Sequence, residues 1–442
     1  MKLTKNKLYQ FLFFFIFMVY CIFNGGNSNL SIQFNFILVG ILFIFCIRDK
    51  NYYSHFKAFY NRNKIFLNAY FLFLTFVLAQ TIPVPIELLK IISYQKYKLL
   101  EFIYYERHFS SVSLSPSDTF FQFLNYLSLI IFLFITKMVF YRSLDLKRFY
   151  FFLSLIGSIL SIFAVVLYLF GNPDVLFIKK IYHYRDSSTG FFINRTVFSI
   201  FLLFCLIASL EIQKYVSLDN NIRNNDNFFL KIYTRFFIIF ITLGIITSFS
   251  RTGNFLMLIT IIFYLIGEFY NKKNINIQFR LLLFAIIIFD ILILGLFFGS
   301  SKLIDRFSFI NNEFSNVLVD SSGLSRFQII RFSFSQISNF VFFGYGAGSF
   351  ETLFKIFFPN DTSFFADHAH SSILEFFGEF GLIGTFFLIF SLSKIFFKNI
   401  KFNNIILLIY FIVLLSIDFS LHVPIIQLLF VIFFTLNNKF TP

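Results

Sequence analysis

Between Phe279 and Gly299 the chain reads FRLLLFAIIIFDILILGLFFG, and runs of this kind decide the fold. A stretch of about 20 mostly apolar residues is what an α-helix needs to cross a lipid bilayer. About twelve such spans follow one another, near Leu8–Phe23, Leu30–Ile47, Ile65–Ile82, Thr119–Tyr141, Phe149–Gly171, Phe191–Ile212, Tyr233–Phe249, Gly253–Phe269, Phe279–Gly299, Ile373–Phe397, Asn404–Ser420 and Val423–Leu436. The runs are too long for barrel strands, so the sequence predicts an all-α polytopic membrane protein.

The composition agrees with a membrane protein and excludes several other classes. Of the 442 residues, 58% are hydrophobic and only 13% are charged, whereas soluble domains are about half apolar and a quarter charged. The net charge of +15 comes from Lys and Arg in short loops between spans, so we predict no nucleic-acid partner. Cys21, Cys46 and Cys205 each lie inside an apolar run, which predicts neither a disulfide nor a metal site.

The distribution of positive charge predicts the orientation in the membrane. Loops that are short and dense in Lys and Arg alternate with longer, more dilute ones, which places both termini in the cytoplasm. The long connections Pro83–Asp118, Asn172–Gly190 and Ser300–Ser372 then face the periplasm. We interpret residues 1–442 as a single membrane domain, in which residues 300–372 form a large outer loop between the ninth and tenth helices. The segment Leu324–Phe343 is amphipathic and predicts a short surface helix inside that loop.

Three polar motifs fall at the predicted outer boundary, and each contains one chemically versatile side chain. They centre on Arg251 in SFSRTG, Arg326 in GLSRFQ and His370 in DHAHSSILE. Taken singly, Arg251 is explained as a membrane anchor, Arg326 as a solvated loop residue and His370 as a structural histidine. Taken together, two guanidinium groups and an imidazole on one side of the membrane suit an anionic, lipid-borne substrate.

The order of these motifs resembles the O-antigen ligase and Wzy polymerase superfamily. The matching pieces, in chain order, are Asn194-Arg195, Ser250–Gly253, Ser325-Arg326, Gly344–Phe350, His370–Glu375, Gly381–Gly384 and Ser416–Pro424. The most specific of them is the His-x-x-x-x-Glu run with its trailing Gly-x-x-Gly. The family often shows Asn-Arg-Asn where this chain has Asn194-Arg195-Thr196, which weakens the match at Arg195.

The resemblance implies a metal-independent, cofactor-free glycosyltransferase at the outer face of the bacterial inner membrane. Such enzymes move a glycan from undecaprenyl diphosphate to an acceptor hydroxyl, and direct attack inverts the anomeric carbon. On the matching positions, Arg251 and Arg326 would bind the diphosphate and His370 would be the general base. Arg195 and Asp418 would support substrate binding. The implied partners are the lipid-linked glycan, a lipid A core or growing glycan as acceptor, and membrane lipids.

Several points stay open at the level of sequence. Glu375 follows His370 by about one helical turn, so it either faces the same cavity as a substrate-binding residue, where it orients the acceptor or pairs with an arginine, or is a carboxylate placed favourably at a helix start. His368 is a rival base, and we prefer His370 because it begins the matching run. Asp290 lies mid-span without an assigned role. The acceptor distinguishes a ligase from a repeat-unit polymerase, and the sequence does not identify it.

Two other classes of protein compete with the glycosyltransferase. A secondary transporter or flippase with twelve spans would show two mirrored halves, whereas the polar residues here crowd into the second half. A membrane scaffold would not explain three such motifs on one side.

Overall fold

The computed structural model describes residues 5–103, 108–175, 185–218, 225–270, 277–296, 325–359, 365–396 and 402–436, and most of these residues are helical. The α-helices of these ranges are α1 (Lys5–Ile22), α2 (Asn29–Arg48), α3 (Lys50–Arg62), α4 (Lys64–Ala79), α5 (Ile86–Ile92), α6 (Tyr94–Phe102), α7 (Pro116–Val139), α8 (Ser143–Leu169), α9 (Arg195–Leu218), α10 (Asn225–Thr247), α11 (Arg251–Tyr270), α12 (Ile277–Leu296), α13 (Arg326–Ile337), α14 (Phe350–Phe357), α15 (Ser372–Phe396), α16 (Phe402–Ile417) and α17 (Pro424–Leu436).

The remaining regular structure is short. Strands β1 (Pro83–Pro85) and β2 (Phe109–Ser111) pair antiparallel, with Val84 opposite Ser110. Two 3₁₀ turns cover Asn24–Gly26 and Ser420–His422. The all-α prediction therefore holds for the described residues apart from this small two-stranded sheet, which lies in the predicted outer connection after α4.

Eight helices in the described ranges are long and apolar enough to cross a membrane. They are α1, α2, α7, α8, α9, α10, α11 and α15. Four shorter apolar helices lie at Lys64–Ala79, Ile277–Phe289, Asn404–Ile417 and Pro424–Leu436. Many apolar helices of this length fit a polytopic membrane protein, whereas the count of twelve stays a prediction.

Part of the predicted large outer loop falls outside the described residues. Residues 300–324 and 360–364 are not described, and neither is the side chain of Asp290. Within the rest of the loop, α13 begins at Arg326 and ends at Ile337, inside the stretch for which we predict a surface helix.

The chain forms two compact units. The first unit comprises Met1–Asn27, Val139–Arg306 and Val423–Pro442, and the second comprises Ser28–Met138 and Phe307–His422. That residues 1–442 form a single membrane domain stays a prediction.

The first unit is built around α9, in which every residue from Thr196 to Gln213 is buried. Neighbouring helices approach it at small residues. A Cβ added at Gly157 would lie 2.5 Å from the Cβ of Cys205, and one added at Gly253 would lie 2.5 Å from the Cβ of Ser199. Helices in lipid associate through such close contacts because burial of apolar surface gives them no driving force there.

In the second unit, α15 is interrupted at Gly381. This residue has φ 60° and ψ −167°, a conformation open essentially to glycine alone. Beyond the break, the backbone N–H of Leu382 donates to the carbonyl of Val341 at 2.8 Å, and that of Ile383 donates to Phe342 at 3.2 Å. The break therefore transfers two helix hydrogen bonds to the loop that follows α13.

That loop continues into a glycine-rich turn, Gly344–Gly348, which lies directly against α15. The N–H of Tyr345 donates to the carbonyl of Gly378 at 2.9 Å, and the N–H of Gly346 donates to Glu379 at 3.2 Å. A Cβ at Gly344 would lie only 2.1 Å from the carbonyl oxygen of Glu379, so no side chain fits there. Backbone-to-backbone contact of this closeness fixes the turn on the helix.

Replacing Gly381 with alanine should lower the thermal unfolding temperature of the detergent-purified protein. The backbone strain alone costs about 1–3 kcal/mol, and the new Cβ would lie 2.4 Å from the carbonyl oxygen of Phe342. Gly40→Ala in α2 is the matched control, because a Cβ there meets nothing within 4 Å and alanine favours a helix interior. Equal unfolding temperatures for the two variants would contradict the role assigned to Gly381.

Candidate functional site

Four titratable side chains meet in the second unit, and we call them the His–Glu cluster: His368, Glu375, Glu379 and His422. Nδ1 of His368 lies 2.7 Å from Oε1 of Glu375, whose Oε2 accepts the N–H of Ala369 at 2.9 Å. Nε2 of His422 lies 3.6 Å from Oε1 of Glu375 and 3.8 Å from Oε2 of Glu379. The two carboxylates therefore converge on one imidazole.

Local structure explains how the cluster forms. Glu375 and Glu379 are four residues apart in the first turns of α15, so they share one face of that helix. The glycine-rich turn holds Glu379, because the N–H of Gly348 donates to its Oε1 at 2.7 Å. His422 ends the 3₁₀ turn that precedes α17.

Aromatic rings enclose the histidines. The ring of His368 stacks on Phe419 at 4.4 Å between centroids, and the ring of His422 stacks on Phe376 at 4.0 Å. His370 meets Phe419 edge to face at 5.6 Å. Such packing fixes the ring planes and removes water from around the imidazoles.

The environment separates the pKa values of the three histidines. Burial acts to lower the pKa of His368, but the charge and the hydrogen bond of Glu375 outweigh it, so this pKa rises above its usual value. Burial lowers the pKa of His422 to about 4. Burial, together with the positive charges of Arg326 and His368, lowers the pKa of His370 to about 4. At neutral pH, His370 is therefore an uncharged imidazole.

His370 has the features of a reactive side chain. Its φ is +55°, which is uncommon outside glycine and costs backbone strain. The side chain is half-buried, and its ring nitrogens form no hydrogen bond with any other described residue. Hydrogen bonds hold the residues on either side of it. The N–H of Ala369 donates to Glu375, and the N–H and Oγ of Ser372 donate to the carbonyl of Asp418 at 3.1 and 2.6 Å.

Arg326 is half-buried at the start of α13. Ser325 caps this helix by accepting the N–H of Gln328 at 3.2 Å, and Oε1 of Gln328 accepts the N–H of Ser325 in return. Within the described part of the chain, the guanidinium of Arg326 has no ion-pair or hydrogen-bond partner. Arg331, on the same helix, is exposed.

Arg195 and Arg251 lie in the first unit, and each is also the first residue of a helix. Asn194 accepts the N–H groups of Thr196 and Val197 at 2.7 and 3.3 Å, and Oγ of Ser250 accepts the N–H of Gly253 at 3.1 Å. All three candidate arginines thus follow a capping residue and begin a helix. The predicted meeting of Arg251 with Arg326 and His370 stays a prediction.

Asp418 serves the backbone at its own end of α16. Its Oδ1 accepts the N–H of Ser420 at 2.8 Å and also the Ser420 hydroxyl, while its carbonyl holds Ser372 at the start of α15. Burial raises the pKa of this carboxyl, although the bonds from Ser420 oppose the change. The described contacts of the Asp418 carboxylate are to Ser420, two residues further along the chain, and its predicted support of substrate binding stays a prediction.

Glu375 pairs with His368, and no bond joins it to His370. Two cluster members, Glu379 and His422, are absent from the residues that the sequence motifs single out. Two signals pointed to them. Glu379 follows Glu375 by four residues, which places both on one helix face, and His422 stands in the tail Ser416–Pro424 of the resemblance.

Comparison with known proteins supports that resemblance. The family model of the O-Antigen ligase, Wzy_C, matches residues 236–389, about a third of the chain. The matched segment contains Arg251, Arg326, His370 and Glu375, whereas Arg195 and Asp418 lie outside it. No curated protein matches the chain. The resemblance to the O-antigen ligase and Wzy superfamily is therefore confirmed over that segment.

Proposed function

We propose that this membrane protein, which carries an O-Antigen ligase segment, transfers a glycan from undecaprenyl diphosphate to an acceptor hydroxyl at the periplasmic face of the inner membrane. The transfer inverts the anomeric carbon and uses no metal in the reacting step. The observation that carries the proposal is that one compact unit holds a neutral His370 with a strained backbone and, near enough to lower its pKa, the Arg326 guanidinium, which has no ion-pair partner among the described residues.

The helix positions of the arginines favour a diphosphate ligand. A helix N-terminus carries partial positive charge and outward-pointing N–H groups, so it attracts anions and disfavours a cation. Arg195, Arg251 and Arg326 nevertheless occupy the first residue of α9, α11 and α13. An arginine in this position costs stability by itself, and a bound phosphate removes the cost. We assign Arg326 to the diphosphate, whereas binding by Arg251 and support by Arg195 stay predictions from the sequence.

The proton transfer fits His370 as the general base. A ring nitrogen of His370 takes the proton of the acceptor hydroxyl while the hydroxyl oxygen forms a bond to the anomeric carbon. The bond from that carbon to the diphosphate oxygen breaks, and the electron pair leaves with undecaprenyl diphosphate. Guanidinium groups stabilise the charge that develops on the leaving group. A bound diphosphate also offsets the charge of Arg326, which raises the pKa of His370 toward the range useful for a base.

Glu375 and Asp418 act as positioning residues in this proposal. Glu375 holds His368 and Ala369 on one side of His370, and Asp418 holds Ser372 on the other. Both residues are almost fully buried: Glu375 is 1% exposed and Asp418 is 3% exposed. They keep His370 in its strained backbone conformation, since such conformations persist only where the surroundings impose them.

Deleting the gene and separating the surface polysaccharide on a gel tests the function. If the protein is a ligase with lipid A core as acceptor, we expect the deletion strain to show lipid A core without long glycan. Intact polymer should then remain on undecaprenyl diphosphate. A single repeat unit in place of a ladder identifies the alternative, a repeat-unit polymerase with a growing glycan as acceptor. Unchanged polysaccharide, or lipid-linked glycan trapped at the cytoplasmic face as for a flippase, would refute the transferase.

A further inference from the structure

The buried centre of the His–Glu cluster has the donors and the dimensions of a cation site. Glu375, Glu379 and His422 are 1%, 1% and 7% exposed, and one donor atom from each lies within 4.8 Å of the other two. Nε2 of His422 lies 3.6 and 3.8 Å from the two carboxylates, beyond the range of a hydrogen bond. The three side chains surround a common point, and neither carboxylate forms a hydrogen bond with His422.

Unpartnered atoms point to a missing ligand. Among the described residues, Oε2 of Glu379 and both ring nitrogens of His422 are buried without a hydrogen-bond partner. Buried polar atoms normally have one, because leaving one unsatisfied costs about 1–3 kcal/mol. Two neighbouring carboxylates in an apolar setting also repel each other, and a divalent cation would neutralise both.

We infer that Glu375, Glu379 and His422 bind one divalent transition-metal ion, with Zn²⁺ as the probe of choice. A tetrahedral zinc ion with bonds of about 2.0–2.1 Å separates its ligands by about 3.3–3.4 Å, so the observed 3.6 and 3.8 Å need little adjustment. Two carboxylates and one histidine occur together as zinc ligands, and a water molecule completes the set.

The surrounding bonds are those of a metal site's outer shell. His368 and the N–H of Ala369 hold Glu375, while the N–H of Gly348 holds Oε1 of Glu379 and leaves Oε2 for the ion. Ligating carboxylates are usually oriented by such hydrogen bonds. The ion would join α15 to the 3₁₀ turn Ser420–His422. It would thereby fix the start of α15 and the loop before it, which contains His370. Its role is structural, and the proposed transfer does not pass through it.

Metal analysis of the full-length protein tests the site. The protein is purified without a histidine tag, stripped with a chelator, dialysed against Zn²⁺ and desalted before its zinc content is measured. We expect about one zinc ion per chain, and X-ray absorption should show nitrogen and oxygen neighbours at about 2.0–2.1 Å without sulfur. Less than a tenth of an ion per wild-type chain overturns the inference.

Glu379→Gln should lower the zinc content at least tenfold, because the amide cannot replace the ligating carboxylate. The variant can still accept the N–H of Gly348 through its amide oxygen, so the glycine-rich turn should keep its place. Glu351→Gln is the matched control, since the Glu351 side chain is 45% exposed and pairs with Lys355. Wild-type zinc content in Glu379→Gln would refute the ligand set. Zinc binding and glycan transfer are measured separately, so either proposal can fail without the other.

Discussion

Replacing His370 with asparagine should lower glycan transfer by about 10²–10⁴-fold, the usual contribution of a general base. Asparagine tolerates a positive φ better than most residues, so the variant keeps the backbone at +55° while losing the basic imidazole. We expect normal expression, membrane insertion and thermal unfolding, because the ring of His370 forms no hydrogen bond with other described residues. The measurement is transfer from purified undecaprenyl-diphosphate-linked glycan to its acceptor.

His108→Asn serves as the control, because His108 is an exposed loop histidine of the same unit. It should transfer glycan at the wild-type rate. His370→Ala should be as inactive as His370→Asn, whereas near-normal transfer by either variant would exclude His370 as the base.

The pH profile of the wild-type protein separates His370 from its rival His368. A base works in its neutral form, so activity is lost as pH falls through its pKa. The pKa of His370 is lowered to about 4, and that of His368 is raised above its usual 6.5. With His370 as base, kcat/KM, which reports the free enzyme, should stay level from about pH 8 to 6 and fall near pH 4. A fall above pH 6.5 would point to His368.

Arg326→Lys should lower kcat/KM for the lipid-linked donor by about 10²-fold although the charge is kept. A guanidinium is planar and binds two phosphate oxygens at once, whereas an ammonium group is a point charge with stronger hydration. Loss of one donor aimed at developing charge costs about 10²–10³-fold in well-studied enzymes. The capping of α13 by Ser325 fixes the backbone at Arg326, so a lysine there starts from the same place but lacks the planar group.

Arg331→Lys gives the same chemical change on the same helix at an exposed position. It should leave transfer within a factor of about two of wild type, because surface charges contribute little. If Arg326→Lys and Arg331→Lys were equally active, bidentate binding of the diphosphate at Arg326 would be wrong.

Much of the helical structure could be predicted from the sequence because the signal is local. An apolar run such as Arg195–Val216 has the length and composition of a span, and it forms α9. The two-stranded sheet of β1 and β2 escaped prediction, since strands of three residues are too short to show an alternating pattern and β1 also contains Pro83 and Pro85.

The candidate site was only partly accessible from the sequence. Arg326, His370 and Glu375 stand out as motif residues, but the hydrogen-bond partner of Glu375 is His368. Which histidine reaches Glu375 depends on the backbone conformation at His370, whose φ is +55°. The approach of His422 to Glu379 depends on how a distant 3₁₀ turn packs against α15, and no local pattern encodes such a contact.

The burial of residues 196–213 of α9 has a consequence for biosynthesis. More than half of the residues of α9 are Val, Ile, Leu or Phe, so the segment is apolar enough to enter the bilayer, yet its final neighbours are other helices and not lipid. The newly made segment must therefore pass from lipid to protein surroundings as later parts of the first unit are synthesised. Ser199 then meets Gly253 of the later α11, whereas Cys205 packs against Gly157 of the earlier α8. Selection along this helix thus acts on how side chains interlock after insertion, while hydrophobicity alone is enough for insertion itself.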